Sequence, residues 1–126
     1  MLKTILIISL SDKKDRLSEE RDARKKILPE EKTDQKVCIE FYYPDPNDHG
    51  RINSVLQKRK PQIVVFNCCC HDTIHRYHRI IISKIGKGLT FFHKYTSGVL
   101  DDEVRKNLTP IKDFGELKSS PQMAVN

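Results

Sequence analysis

Apolar and polar positions follow two rhythms along the chain. Residues 3–10 (KTILIISL) form a continuous apolar run of strand length, the pattern of a strand covered on both faces. Ser11 or Asp12 then offers an N-cap to a charged segment that runs to Pro29 with only Leu17, Ala23, Ile27 and Leu28 to bury, so the spacing predicts a largely solvated helix. Val37, Ile39, Phe41 and Tyr43 alternate with Cys38, Glu40 and Tyr42, the period of a strand with one wetter face, near a sheet edge. The turn Pro44-Asp45-Pro46-Asn47 leads to Asp48, a candidate cap for a helix that buries Ile52, Val55 and Leu56 and stops at Pro61. Residues 62–68 read as the most buried strand. His71–Ile85 follows as a helix with Ile74, Tyr77, Ile81 and Ile85 on one stripe. Gly86 and Gly88 break it, residues 89–93 make a fourth strand, and Ser97-Gly98 make a turn. Residues 100–107 are read as a short helix, 109–111 as a short fifth strand, and 118–126 as a loose tail.

Strands alternating with helices are the signature of crossovers onto a parallel sheet. Because the central strands have no polar face, helices must cover both sides. The expected fold is a doubly wound three-layer α/β/α sandwich with a mostly parallel sheet of four to five strands, a single domain over residues 1–117 followed by a flexible tail over 118–126. Such sheets bind ligands beyond the carboxyl ends of their strands, where the winding reverses. Function is therefore sought at residues 9–12, 67–72 and 93–97, with Ser11 and Asn67 aimed into one shared crevice.

Charge changes this picture locally. The 126 residues are 37% hydrophobic and 32% charged, with a net charge of +6. Residues 1–36 hold ten positive and eight negative charges, which nearly cancel. Residues 58–94 hold eight positive charges against one acid, Asp72, together with His71, His75, His78 and His93. A basic field of that kind attracts phosphate groups, nucleic acid or an acidic protein. Arg76, Arg79, Lys84, Lys87 and Lys94 are the candidate contact face, for an acidic protein partner first and nucleic acid second; Asp101, Asp102 and Glu103 offer a complementary patch for a homodimer. No apolar run approaches the ~20 residues of a membrane span, and no secretory cleavage pattern follows Met1, so a cytoplasmic, membrane-free location is expected.

The cysteines, Cys38 and the run Cys68, Cys69, Cys70, have no disulfide spacing and are expected to be thiols. His71, His75 and His78 fall within one helical stripe and, with a nearby thiolate, are the only metal candidates; without a Cys-x-x-Cys pair the favoured reading is no metal, the cysteines packing as small hydrophobes. Gly86-Lys87-Gly88 is too short for a phosphate loop and precedes a strand, so it reads as a helix end.

The run Leu56-Gln57-Lys58-Arg59-Lys60-Pro61-Gln62-Ile63-Val64-Val65-Phe66-Asn67 resembles the helix-to-strand passage of response-regulator receiver domains, where an apolar strand ends in the phosphorylated aspartate. Phe91-Phe92-His93-Lys94-Tyr95-Thr96-Ser97 is similar to their fourth strand and its loop. Residues 108–117 (LTPIKDFGEL) look like a disturbed form of their Leu-Thr-Lys-Pro-Phe ending. The resemblance spans most of the chain and implies a flavodoxin-like, receiver-like fold with altered phosphorelay equipment. The phosphoacceptor position falls on Asn67, whose amide is no nucleophile for a phosphohistidine. The acidic pair that holds magnesium falls around Ser9 and Ser11, with only Asp12 acidic nearby. The phosphate-sensing hydroxyl falls near His93, and the lysine on Lys112, displaced. A magnesium site is thus poorly equipped, and no cofactor is expected.

A second resemblance covers the first ~75 residues. Lys3-Thr4-Ile5-Leu6-Ile7, Arg16-Leu17, Glu19-Glu20 and Lys60-Pro61-Gln62-Ile63-Val64-Val65-Phe66 are similar to the opening of caspase-like CHAT peptidase domains, in which the strand runs into a catalytic histidine. Here that place reads Asn67-Cys68-Cys69-Cys70, with His71 late and no cysteine further on. The reading that follows is a non-enzymatic receiver-like signal-transduction or protein-interaction module without a working phosphoacceptor aspartate. The alternatives are a cysteine hydrolase fragment using a thiol of the Cys68-Cys69-Cys70 run with His71 or His93, or a basic phosphate- or nucleic-acid-binding domain.

Overall fold

The computed structural model describes residues 3–28, 37–45, 47–48 and 50–119. Five strands alternate with helices: β1 (Lys3–Ser9), α1 (Lys13–Ile27), β2 (Val37–Tyr42), α2 (Arg51–Arg59), β3 (Ile63–Asn67), α3 (His71–Ile85), β4 (Thr90–Lys94), α4 (Asp102–Arg105) and β5 (Leu108–Pro110), followed by a 3-10 helix at Phe114–Ser119. All strand pairs are parallel, in the order β2-β1-β3-β4-β5. This is the flavodoxin-like α/β sandwich. β2 lies at the edge, as its alternating pattern requires, and β1 and β3 lie side by side with the winding reversing between them.

The period of two along the strands sorts the core into two layers. Leu6, Ile8, Val64, Phe66 and Phe91 turn to one face and pack with Ile52 and Leu56 of α2 and Ile74, Tyr77 and Ile81 of α3. Ile5, Ile7, Ile63, Val65 and Phe92 turn to the other and pack with Ala23 and Ile27 of α1 and Phe114 and Leu117 of the 3-10 helix. Residues such as Ile7 and Val65 are fully buried, and each contributes about 1.5–3 kcal/mol of apolar burial. α1, despite its sparse apolar stripe, is thus half of one covering layer. Asp15 in its first turn and Arg24, Lys25 and Lys26 in its last complement the helix dipole.

Local differences from the sequence reading have local causes. Asp12 takes the N-cap position of α1 without a side-chain cap bond. α2 starts from Gly50 rather than Asp48, whose backbone N–H is drawn back to the Asp45 carbonyl at 3.0 Å in a turn. α4 is a single turn, and β5 begins at Leu108, whose side chain joins the α2/α3 layer. Ser119 closes the 3-10 helix, so the first two residues of the expected tail belong to that helix; residues 120–126 lie outside those described. Among the described residues no helix is long and apolar enough to cross a membrane.

Candidate functional site: a polar crevice at the strand tips

The three central strands end in a polar row. Ser9, Asn67 and Lys94 are register partners across β1, β3 and β4, on the face that carries Ile7, Val65 and Phe92 below them. All three are buried: Ser9 fully, Asn67 to 3% exposure and Lys94 to 9%. The residues after β3 and β4, Cys68 and Tyr95, both take left-handed backbone (φ 54° and 56°). That conformation costs a non-glycine residue about 1 kcal/mol, and paired strain of this kind at two adjacent strand ends marks a site held in place by its surroundings.

Above the row lies a crevice of about 330 Å³ between these tips, α1 and Phe114. Ser11 enters it from the β1–α1 turn, and Asp15, Ser18, Glu19 and Asp22 line it from one face of α1, at the three- and four-residue spacing of a helix. Asn67 Nδ2 donates to Glu19 Oε1 at 2.5 Å. A carboxylate only accepts, so this bond fixes which end of the amide faces Glu19. It leaves Asn67 Oδ1 and Glu19 Oε2 buried without a hydrogen-bond partner. The Lys94 ammonium lies 3.9 Å from the Tyr95 ring centroid and 4.9 Å from that of Phe114, a cation–π arrangement. The Ser9 and Ser11 hydroxyls share a 2.8 Å bond at the β1 tip. An ion pair of 2.7 Å between Lys26 and Asp113 ties α1 to the loop ahead of the 3-10 helix, and the hydrogen bond from Lys26 holds the Asp113 carboxyl below its ordinary range.

Of the residues expected at this site, Ser11 and Asn67 line the crevice and Ser9 lies beneath it. Asp12 and Lys112 are exposed outside it. Lys112 belongs to the loop closed by Glu116, whose carboxylate accepts from the Lys112 and Asp113 backbone N–H groups. His93 is out of phase by one residue. Its register partner is Phe66, so alternation turns it to the α2/α3 layer, where Nδ1 meets Thr96 Oγ1 at 2.9 Å and burial pulls its imidazole pKa down. Lys94 takes the place expected for His93, and for the same reason it leaves the basic face to which its charge had assigned it. Glu19, Asp15 and Asp22 were missed because their helix reads as solvated; the signal was their common face directly after an apolar strand.

The histidines of α3 separate. His71 packs so closely on Gly98 that a Cβ there would lie 2.0 Å from its Nδ1, and its Nε2 is 3.3 Å from Asp72. His75 Nε2 accepts the Asp101 backbone N–H at 3.0 Å. His78 is buried against Phe91 at 4.8 Å with Nε2 unpartnered, and burial depresses its pKa. Among the described residues no three His, Cys, Asp or Glu side chains come together to hold a metal. Arg76, Arg79, Lys84 and Lys87 are exposed. Asp101 approaches Arg79 at 4.0 Å within the same chain, so part of the acidic patch already meets the basic one.

The cysteines also divide. Cys69 is buried, its thiol directed to the Ile8 carbonyl at 3.3 Å and its pKa pushed well up by burial. Cys68 is exposed on the crevice wall, where partial desolvation of its thiol and the nearby Glu19 carboxylate raise its pKa. Cys70 caps α3, and its bond with Thr73 Oγ1, at 3.2 Å, pulls its thiol down. No protein-family model, curated protein or solved structure matches the chain.

Proposed function

We propose that this domain is a receiver-like signal-transduction or protein-interaction module that works without a phosphoacceptor aspartate. The observation that carries the reading is Asn67 at the tip of β3, beside the reversal of the winding, with its amide nitrogen committed to Glu19. An amide there has no nucleophilic oxygen to take a phosphoryl group. The carboxylates around it come from the side of α1 rather than from the strand tips. The partner is read as an acidic protein that meets the exposed outer flank of α3 through Arg76, Arg79 and Lys84. The test is incubation with acetyl phosphate and magnesium, followed by intact-mass measurement. No stable mass gain is expected, and an adduct on Asp12 or Asp72 would overturn the reading. For the contact face, Arg76→Glu combined with Arg79→Glu should abolish chemical cross-linking to partners in an extract of the source cell. Unchanged cross-linking would remove α3 from the proposal.

A thiol enzyme is the second reading, and the observation that favours it is Cys70, partly exposed at a helix N-terminus with its pKa lowered. It requires iodoacetamide to label Cys70 in the folded protein near neutral pH, well ahead of Cys68. Labelling of all four cysteines only after unfolding eliminates it.

A further inference from the structure

The crevice contains an imbalance that its own residues do not resolve. Asn67 is almost wholly buried, yet Oδ1 has no donor, and Glu19 Oε2 beside it has none either. Buried acceptors left open in this way mark a missing donor. Asp15, Glu19 and Asp22 line the opening; Asp22 already pairs with Lys26 at 3.2 Å, which leaves Asp15 and Glu19 against the one lining cation, Lys94, whose ammonium lies over the aromatic rings of Tyr95 and Phe114. That balance repels anions. It does not suit a bare metal ion, since no three ligating side chains converge among the described residues. What it lacks is a cationic group with several N–H donors fixed in a plane, which can reach a carboxylate oxygen and an amide oxygen together.

We propose that the crevice binds a small organic cation of the guanidinium class, its forked N–H donors seated on Asn67 Oδ1 and Glu19 Oε2. The volume, about 330 Å³, is at the lower end of ligand sites and fits a guanidinium on a short aliphatic chain. Asp15 extends the attraction outward along α1, whereas Asp22 is already paired with Lys26. Lys94 opposes it, so the ligand's cation sits toward α1. This binding does not depend on the signalling reading: phosphorylation of Asp12 or Asp72 would defeat that reading and leave this one standing.

The experiment is isothermal titration of the full chain with agmatine, and with tetramethylammonium as a cation without N–H donors, at matched ionic strength. Agmatine should bind saturably and at least tenfold more tightly than tetramethylammonium, and Glu19→Gln should weaken it at least tenfold. Asp101→Asn, a carboxylate outside the crevice, should leave it unchanged, and Lys94→Met should tighten it. Because Glu19 also holds Asn67, the Glu19→Gln variant is backed by a readout on the unaltered protein: agmatine should shift the side-chain amide resonances of Asn67 in a nitrogen-proton spectrum. Equal binding of the two cations, or an unmoved Asn67 amide at saturating agmatine, overturns the proposal.

Discussion

The crevice over β1 and β3 and the outer flank of α3 hold polar groups under opposite conditions. In the crevice they are few and incompletely bonded: Asn67 and Lys94 are buried, Glu19 is half-buried with its Oε2 shielded, and two acceptor atoms have no donor. On α3 they are many and exposed, and those that pair do so loosely, as Arg79 and Asp101 do at 4.0 Å with both side chains mostly in solvent. Exposed pairs of that kind contribute at most about 1 kcal/mol. A buried polar group must be compensated or it costs free energy. The density of charge along the sequence points to α3, whereas the polar groups under physical constraint lie at the strand tips and come from both sides of that charge division: Glu19 from the near-neutral first 36 residues, Asn67 and Lys94 from the basic stretch.

The sharpest way to break the comparison is Asn67→Asp. It sets a second carboxylate against Glu19 in place of the amide donor, and a loss of about 3 kcal/mol at pH 7 is expected. Repulsion raises the carboxyl pKa in the folded state, so the deficit is full above that raised value and fades as pH falls toward the unfolded range near 4. Urea unfolding at several pH values reads both the size and the slope. A deficit that does not change with pH would mean that the crevice is wetter than its burial indicates.

Gly98→Ala ranks second. Gly98 has φ +87°, and an added Cβ would collide with the His71 ring at the start of α3. A loss of about 2 kcal/mol is expected in thermal or urea unfolding. Combining it with His71→Ala should recover the steric part and leave the backbone strain. Full loss in the double variant would place the whole effect in the backbone.

The smallest effect is a slope. His78 and His93 both have their imidazole pKa lowered by burial, below the ordinary 6.5. The unfolded chain therefore takes up protons first as pH falls, and stability present above about pH 7 declines through the ordinary histidine range. His78→Phe removes one of the two groups and should make that decline shallower while leaving His93's share. An unchanged slope would show that His78 is hydrated in solution, and the polar cavity of about 370 Å³ that it lines with Glu103, Lys87 and Asn107 would be the route for water.

Much of the frame was legible because strands and helices have periods that a chain carries openly. The unbroken apolar runs at Ile5-Leu6-Ile7-Ile8 and Ile63-Val64-Val65-Phe66 require cover on both faces, and the alternation of elements requires parallel crossovers. The edge position of β2 and the meeting of Ser11 and Asn67 at one crevice followed from the same logic. The site's full membership was less legible. A shift of one residue in a strand exchanges its two faces. With β4 running to Lys94 rather than stopping at His93, the lysine turned to the crevice and the histidine to the opposite layer.

Residue order alone dictates the layer architecture, the central strands and the polar residue at the tip of β3, since hydrophobic period and the cost of exposing apolar surface need nothing more. Tertiary structure alone decided that Glu19 closes on Asn67, that Lys94 rests on Tyr95 and Phe114, and that the three α3 histidines part company. Those outcomes depend on which side chains from distant segments reach the same few ångströms of space, and the strand register and helix packing that bring them there are properties of the folded sheet rather than of any local run.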